Sequence, residues 1–309
     1  MKIVFLDAIT LGDDVSLEPL KSLGDLTMYD NTSEDQINER IAECEVLIVN
    51  KVEIKKDNID HASKLKLICE AATGIDNIDH EYAKSKNILV KNVKGYSTES
   101  VAEVTMMLML NLAGHGIYFD DFVKSGKYSK SGIFTDVTNP FFELKGKKLG
   151  IIGMGSIGQR VAEIATVFGM KISYYSTSGT SHCTKYPSVS INELLAESDI
   201  ISINAPMNEK TNNLLTYNML SKMKSTAYII NIGRGGIINE TDLVKALNDN
   251  KIAAAGIDVF TEEPIGNSHP YLSELKDKSK IILTPHIGWT SLEARNVLIN
   301  MVADNIRNR

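Results

Sequence analysis

Gly150-Ile151-Ile152-Gly153-Met154-Gly155-Ser156-Ile157-Gly158 runs an apolar strand into a Gly-x-Gly-x-x-Gly turn, after which Val161, Ile164, Ala165 and Phe168 recur at helical spacing. In that strand–turn–helix setting the three glycines have separate tasks. Gly153 permits the tight turn, Gly155 lets the backbone approach a pyrophosphate, and Gly158 lets helix and strand pack closely. Ser156 and Ile157 open the helix, whose first N–H groups lack intrahelical partners and present partial positive charge to a phosphate. The pattern predicts a dinucleotide-binding unit.

Working outward, short apolar runs alternate with helical patterns, as in parallel sheets with crossover helices. Upstream, strands are expected at Lys2–Leu6, Val46–Val49, Leu67–Cys69 and Leu89–Lys91, with a helix over Ser33–Glu43 capped by Ser33 and Gln36. From the fingerprint onward they are expected at Lys148–Ile152, Lys171–Tyr175, Ile200–Asn204, Ala227–Asn231, Ala254–Asp258 and Ile281–Thr284, with a last helix from Ser291 to Ile306. The helix Ser97–Leu112 is apolar on nearly every face, so it must be buried on several sides, within the chain or against a second subunit. The expected fold class is α/β. Two Rossmann-like or flavodoxin-like domains with parallel sheets are predicted, a dinucleotide-binding domain (97–286) inserted into a substrate domain (1–96 and 287–309).

Composition narrows the partners. The chain has 309 residues, enough for two domains, and 33 Lys+Arg against 39 Asp+Glu give a net charge of −6. That balance argues against nucleic acid or an anionic membrane as the main partner. No apolar run approaches the roughly 20 residues of a membrane span, and Asp7, Asp13 and Asp14 interrupt any signal-peptide core. Three widely spaced cysteines support neither a disulfide framework nor a zinc site, so a cytoplasmic location is expected.

One part of the dinucleotide signature is missing. An acidic residue about 20 positions on normally binds the adenosine ribose 2′-OH, yet the second strand ends Tyr174-Tyr175-Ser176-Thr177-Ser178. Ser176 and Thr177 can bond a hydroxyl or a 2′-phosphate, and Lys185 is the nearest cation in sequence. NAD is the leading expectation, and NADP stays open.

Three strand-end loops carry the remaining unusual residues: Asn231-Ile232-Gly233-Arg234-Gly235-Gly236, Asp258-Val259-Phe260-Thr261-Glu262-Glu263-Pro264 and Thr284-Pro285-His286-Ile287-Gly288-Trp289. Ligands of open α/β sheets bind outside the carboxyl ends of strands, where these loops should lie. A guanidinium, a carboxylate and an imidazole there suit the interconversion of a 2-keto acid and a 2-hydroxy acid. The guanidinium holds a carboxylate in two-pronged fashion. The imidazole gives or takes the proton, and a carboxylate behind it favours imidazolium.

At these loops the chain resembles the D-isomer-specific 2-hydroxyacid dehydrogenase family. The resemblance spans essentially the whole chain and includes Ser100-Val101-Ala102-Glu103, Asn231…Arg234-Gly235-Gly236, Gly256-Ile257-Asp258-Val259-Phe260 and Thr284-Pro285-His286-Ile287-Gly288. It implies that Arg234 binds and polarises the substrate, that His286 is the acid/base, and that Glu263 orients and charges His286. Asp258 would lie near the nicotinamide carboxamide, with Ile232, Ala205 and Pro206 along the cofactor. Asn204 stands where relatives often carry histidine. Thr73 and Gly74, in Ala71-Ala72-Thr73-Gly74-Ile75-Asp76, would offer backbone N–H groups to the substrate carboxylate, with Lys51 as a facing cation. Ala72 replaces a common glycine. A domain cleft would close over the substrate and exclude water.

Lys94-Gly95-Tyr96-Ser97-Thr98 and His286-Ile287-Gly288-Trp289 look like the glycerate dehydrogenase/hydroxypyruvate reductase branch, with Trp289 either a pocket wall or core. D-lactate and 3-phosphoglycerate are the alternatives; the chain ends at Arg309, leaving no room for a C-terminal regulatory domain of the kind many phosphoglycerate dehydrogenases carry. The helix Ser97–Leu112 matches the family's dimer helix, so a homodimer is implied. From another functional class, some relatives are dinucleotide-sensing corepressors that keep the same residues. The other histidines (His61, His80, His115, His182 and His269) have no such setting and are expected to be structural, and none of them sits at metal-ligand spacing.

Overall fold

The computed structural model describes residues 1–180 and 183–309, so His182 lies outside the described residues. The chain divides into two compact units, Met1–Ser97 with Trp289–Arg309, and Thr98–Gly288.

The first unit holds β1 (Lys2–Phe5), β2 (Asp25–Met28), β3 (Val46–Val49), β4 (Leu67–Glu70) and β5 (Leu89–Lys91). They form one parallel sheet in the order β2-β1-β3-β4-β5. Every residue of β3 and β4 is buried, as expected where helices cover both faces of a parallel sheet. β2 was not expected. It is an edge strand with three of its four residues exposed, so its sequence lacks the apolar run by which the others are legible. The helix expected over Ser33–Glu43 spans Glu34–Ile41, and the Gln36 side chain accepts the Ser33 N–H at 3.2 Å. The last helix, Leu292–Arg307, packs Leu298, Ile299, Val302, Ala303 and Ile306 into the core beneath this sheet. Its Arg295 guanidinium pairs with Asp14 and donates to the Leu11 carbonyl, tying both ends of the unit together.

The second unit holds β6 (Lys148–Ile152), β7 (Lys171–Tyr175), β8 (Ile200–Ile203), β9 (Tyr228–Asn231), β10 (Ala254–Ile257) and β11 (Ile281–Leu283). All pairings are parallel, in the order β11-β10-β9-β8-β6-β7. The order reverses between β6 and β8, which places a crevice at their carboxyl ends. The long helix Thr98–Gly114 packs against the helix Ser156–Val167 and against β9 and β10. It is buried on several sides within the chain, with one strip left exposed. Val101, Ala102, Met106, Leu108, Met109 and Leu112 are buried, while Met107 and Leu110 are 40% and 42% exposed. Among the described residues, no helix is long and apolar enough to cross a membrane.

Candidate active site

The fingerprint loop leaves β6 through Gly153, whose φ of +92° lies in the left-handed region that L side chains rarely adopt. A Cβ there would also sit 2.8 Å from the Ala205 Cα. At Gly158 a Cβ would stand 2.2 Å from the Gly153 carbonyl oxygen, so only hydrogen lets helix and turn meet. Gly155 differs, because a Cβ would meet nothing within 4 Å and the loop faces open space. The helix Ser156–Val167 starts there with its unpaired N–H groups.

A depression of about 210 Å³ opens beside this turn, at the reversal point of the sheet. Gly153, Gly155, Ser176, Asn204 and Pro206 line it, with Thr177, Ser178 and Thr180 at the β7 side. The Ser176 hydroxyl donates to the Thr180 carbonyl at 2.6 Å and lies 3.1 Å from the Ser178 hydroxyl. Asn204 donates to the Ser202 hydroxyl at 3.0 Å, and its buried Oδ1 has no hydrogen-bond partner among the described residues. An orphaned buried acceptor beside a helix N-terminus suits a ligand with hydroxyl donors and phosphates, so these residues fit a dinucleotide.

The acid–base candidates lie at the carboxyl edge of the same sheet. His286 has a φ of +54°, a conformation uncommon outside glycine, and Asp258 fixes the loop around it. The Asp258 carboxylate is fully buried. Its Oδ1 accepts the Thr284 hydroxyl at 2.5 Å and the Ile287 N–H at 2.9 Å, and its Oδ2 accepts the Gly288 N–H at 2.9 Å. Burial raises the Asp258 pKa, while those hydrogen bonds and the nearby His286 pull it down. The His286 N–H in turn donates to the Asp258 carbonyl at 2.8 Å.

The His286 Nδ1 lies 2.7 Å from the Glu263 Oε2. Glu263 spends its other oxygen on its own loop, Oε1 accepting the Phe260 N–H at 2.9 Å. With Nδ1 on a carboxylate, Nε2 is the ring atom left to exchange a proton.

Arg234 follows β9 and is partly buried. Its guanidinium donates to the Gly233 carbonyl at 2.9 Å. Asn231, 1% exposed, braces this turn: its Nδ2 donates to the Arg234 carbonyl at 2.9 Å and its Oδ1 accepts the Gly233 N–H at 3.1 Å. In the sequence Asn231 is only part of a motif; its bracing role needs both ends of the turn in view. Ile232 lies beside Gly288, where a Cβ would be 3.2 Å from its Cδ1.

Lys51, Thr73, Gly74 and Trp289 belong to the first unit. Lys51 follows β3, and its N–H donates to the Asp7 carboxylate at 2.6 Å. The Thr73 hydroxyl donates to the Val93 carbonyl at 2.9 Å, and Thr73 itself is exposed. Trp289 is half-buried against the first unit's core and meets Tyr96 edge-on at 6.4 Å. Among the described residues, no group of three or more His, Cys, Asp or Glu side chains is placed to hold a metal ion.

Residues 106–288 match the family described as D-isomer specific 2-hydroxyacid dehydrogenase, NAD binding domain. The chain is 34% identical over 314 residues to a hydroxypyruvate reductase of Blautia hydrogenotrophica, covering 99% of this chain and 96% of that one. It is 32% identical over 309 residues to a glycerate dehydrogenase of Methylorubrum extorquens, covering 99% and 95%. The crystal structure of D-lactate dehydrogenase from Aquifex aeolicus, complexed with NAD and lactic acid, superposes with a TM-score of 0.85 at 29% identity, covering 99% of this chain and 94% of that one. With a family match over more than half its length and full-length relatives above 30% identity, this chain belongs to the D-isomer specific 2-hydroxyacid dehydrogenases, oxidoreductases that act on a CH–OH group with a nicotinamide cofactor.

Proposed function

We propose that this enzyme interconverts hydroxypyruvate and D-glycerate, with His286 as acid/base, Glu263 as its orienting carboxylate and Arg234 as the substrate-binding cation. The observation that carries the site assignment is the 2.7 Å contact between His286 Nδ1 and Glu263 Oε2 at the carboxyl edge of the dinucleotide sheet. The substrate rests on the full-length similarity to a hydroxypyruvate reductase and a glycerate dehydrogenase. D-lactate and 3-phosphoglycerate are the competing substrates.

A bound nicotinamide supplies the hydride in reduction and takes it in oxidation. The chain's own residues do the rest. Arg234 grips the substrate carboxylate and draws electron density from the neighbouring carbonyl oxygen. His286, as imidazolium, gives its Nε2 proton to that oxygen as it becomes a hydroxyl, and keeps its Nδ1–H on Glu263. Asp258 holds the His286 loop and would lie near the nicotinamide carboxamide. Gly155, with the helix N-terminus at Ser156 and Ile157, would hold the pyrophosphate while Gly153 and Gly158 shape the turn, and Ala205, Pro206 and Ile232 would flank the cofactor. The unit Met1–Ser97 with Trp289–Arg309 serves as the substrate domain. Thr73 and Gly74 offer N–H groups to the carboxylate, Lys51 offers its charge, and Trp289 shapes the pocket.

NAD is the proposed cofactor. One observation favours a second reading: the β7 end of the depression presents Ser176, Thr177, Ser178 and Thr180, with no carboxylate among its described lining residues. Such hydroxyls also accept a 2′-phosphate, so NADP competes. The enzyme is further proposed to be a cytoplasmic homodimer. Met107 and Leu110 on the helix Thr98–Gly114 are exposed, and Ile117, Phe134 and Phe141 add apolar surface, Phe134 being 90% exposed. Cys44 and Cys69 are buried and in no disulfide, which suits a reducing compartment.

The test is loss of reduced-nicotinamide absorbance with hydroxypyruvate, glyoxylate, pyruvate and 3-phosphohydroxypyruvate, each with NADH and NADPH. Fastest turnover on hydroxypyruvate supports the proposal, and the cofactor ratio decides between NAD and NADP. Dinucleotide binding with no turnover on any of the four would instead favour the sensing reading.

A further inference from the structure

The loop that carries Glu263 is held from outside by a second carboxylate–histidine pair. Glu240 opens the helix Glu240–Asn248, which is anchored in the core by Leu243, Val244, Ala246 and Leu247. Its Oε1 accepts the Thr261 N–H at 2.9 Å, and its Oε2 lies 3.2 Å from the His269 Nε2. Both side chains are largely buried, at 13% and 9% exposure.

His269 is itself fixed. It caps the turn of helix Pro270–Ser273, its Nδ1 accepting the Tyr271 N–H at 3.3 Å. With Nδ1 an acceptor, the proton of a neutral ring sits on Nε2 and donates to Glu240. Phe260 stands edge-on to the imidazole at 5.9 Å, and the buried Tyr271 lies 4.8 Å away on another side. The Phe260–Thr261 peptide is also pressed against Gly235, where a Cβ would fall 2.0 Å from the Phe260 carbonyl carbon. Thus adjacent N–H groups of one loop go to two carboxylates. Phe260 donates to Glu263, which faces His286, and Thr261 donates to Glu240, which is anchored to the core.

We propose that Glu240 and His269 are a positioning pair that clamps the 260–264 loop and so keeps Glu263 seated on His286. This rests on the reading of Glu263 and His286 as the acid–base pair. Neither Glu240 nor His269 touches substrate; their effect passes through the loop backbone. A carboxylate displaced by a fraction of an ångström aligns its histidine poorly, and the cost falls on the chemical step rather than on dinucleotide binding.

The experiment is a double-mutant cycle on hydroxypyruvate reduction with NADH. Glu240→Ala removes both contacts. His269→Asn keeps a good N-cap for Pro270–Ser273 but removes the ring, so it reads the same cycle if Glu240→Ala does not fold. The expected fall in kcat is roughly tenfold for Glu240→Ala and about threefold for His269→Asn, with KM for NADH within about twofold of the parent. In a Glu263→Gln background the same changes should alter kcat less than about twofold, because the contact they protect is already impaired. Equal losses in both backgrounds, or parental kcat in the single variants, would overturn the clamp. If Glu263→Gln alone leaves kcat untouched, the acid–base reading fails first and separately.

Discussion

Glu263 faces His286 with one carboxylate oxygen and its own loop with the other, Oε2 standing 2.7 Å from the imidazole Nδ1 while Oε1 accepts the Phe260 N–H. The carboxylate therefore cannot turn toward the histidine or away from it without breaking a hydrogen bond. This geometry fixes the ring through Nδ1 and leaves Nε2 for proton exchange. His286→Ala should lower kcat for keto-acid reduction by roughly 10²–10⁴. Glu263→Gln should cost about 10–100-fold in kcat, since an amide is a weaker acceptor for the Nδ1–H that orients the ring. Steady-state kinetics on both variants checks this; a parental kcat in Glu263→Gln would separate the two residues.

Arg234→Lys keeps the charge and loses the planar fork. If the guanidinium grips a substrate carboxylate, kcat/KM should fall at least roughly tenfold although the charge is retained. Steady-state kinetics with NADH at saturation reads the effect, and an unchanged kcat/KM would remove Arg234 from the substrate site.

Glu70, at the end of β4, is fully buried, and burial pushes its carboxyl up to about 9 from an ordinary 4.5. The Asn77 Nδ2 donates to its Oε2 at 3.0 Å, while Oε1 has no hydrogen-bond partner among the described residues. The folded state thus binds this proton more tightly than the unfolded chain. The resulting stability is fully present below about 4.5 and is lost as pH rises through about 9. Glu70→Gln, which mimics the protonated form, should raise Tm at pH 8 by roughly 3 °C or more and flatten the decline between those limits. Thermal unfolding of both proteins from pH 5 to 9 is the measurement; parallel curves would mean that Glu70 ionises at its ordinary value.

For the proposed homodimer, Leu110→Glu places a charge on the exposed apolar strip of the helix Thr98–Gly114. It should shift the protein toward monomer by at least about tenfold in dissociation constant. Light scattering across a concentration series tests this, and a parental protein that is already monomeric would remove the dimer.

The glycine fingerprint, the buried strands and the three loop motifs were legible from residue order, because local backbone demands write themselves into local sequence. Gly153 must reach a positive φ, β3 is apolar throughout, and β4 is apolar up to Glu70. The exposed strand β2 carries no such pattern, and the extent of the helix Thr98–Gly114 facing solvent depends on which neighbours cover it.

For the site, residue order determined the chemistry on offer: a guanidinium, a carboxylate and an imidazole on loops that follow parallel strands. Tertiary structure decided which atoms meet. Asp258 and Gly288 are 30 positions apart in the chain, Glu263 and His286 are 23, and Glu240 and His269 are 29. Contacts across such intervals depend on strand order and loop course, which no local spacing encodes. Glu240 shows why. An acidic residue in the first turn of a helix is common for reasons of the helix dipole alone, so its hold on the Glu263 loop became visible only once the Thr261 N–H was found pointing at it.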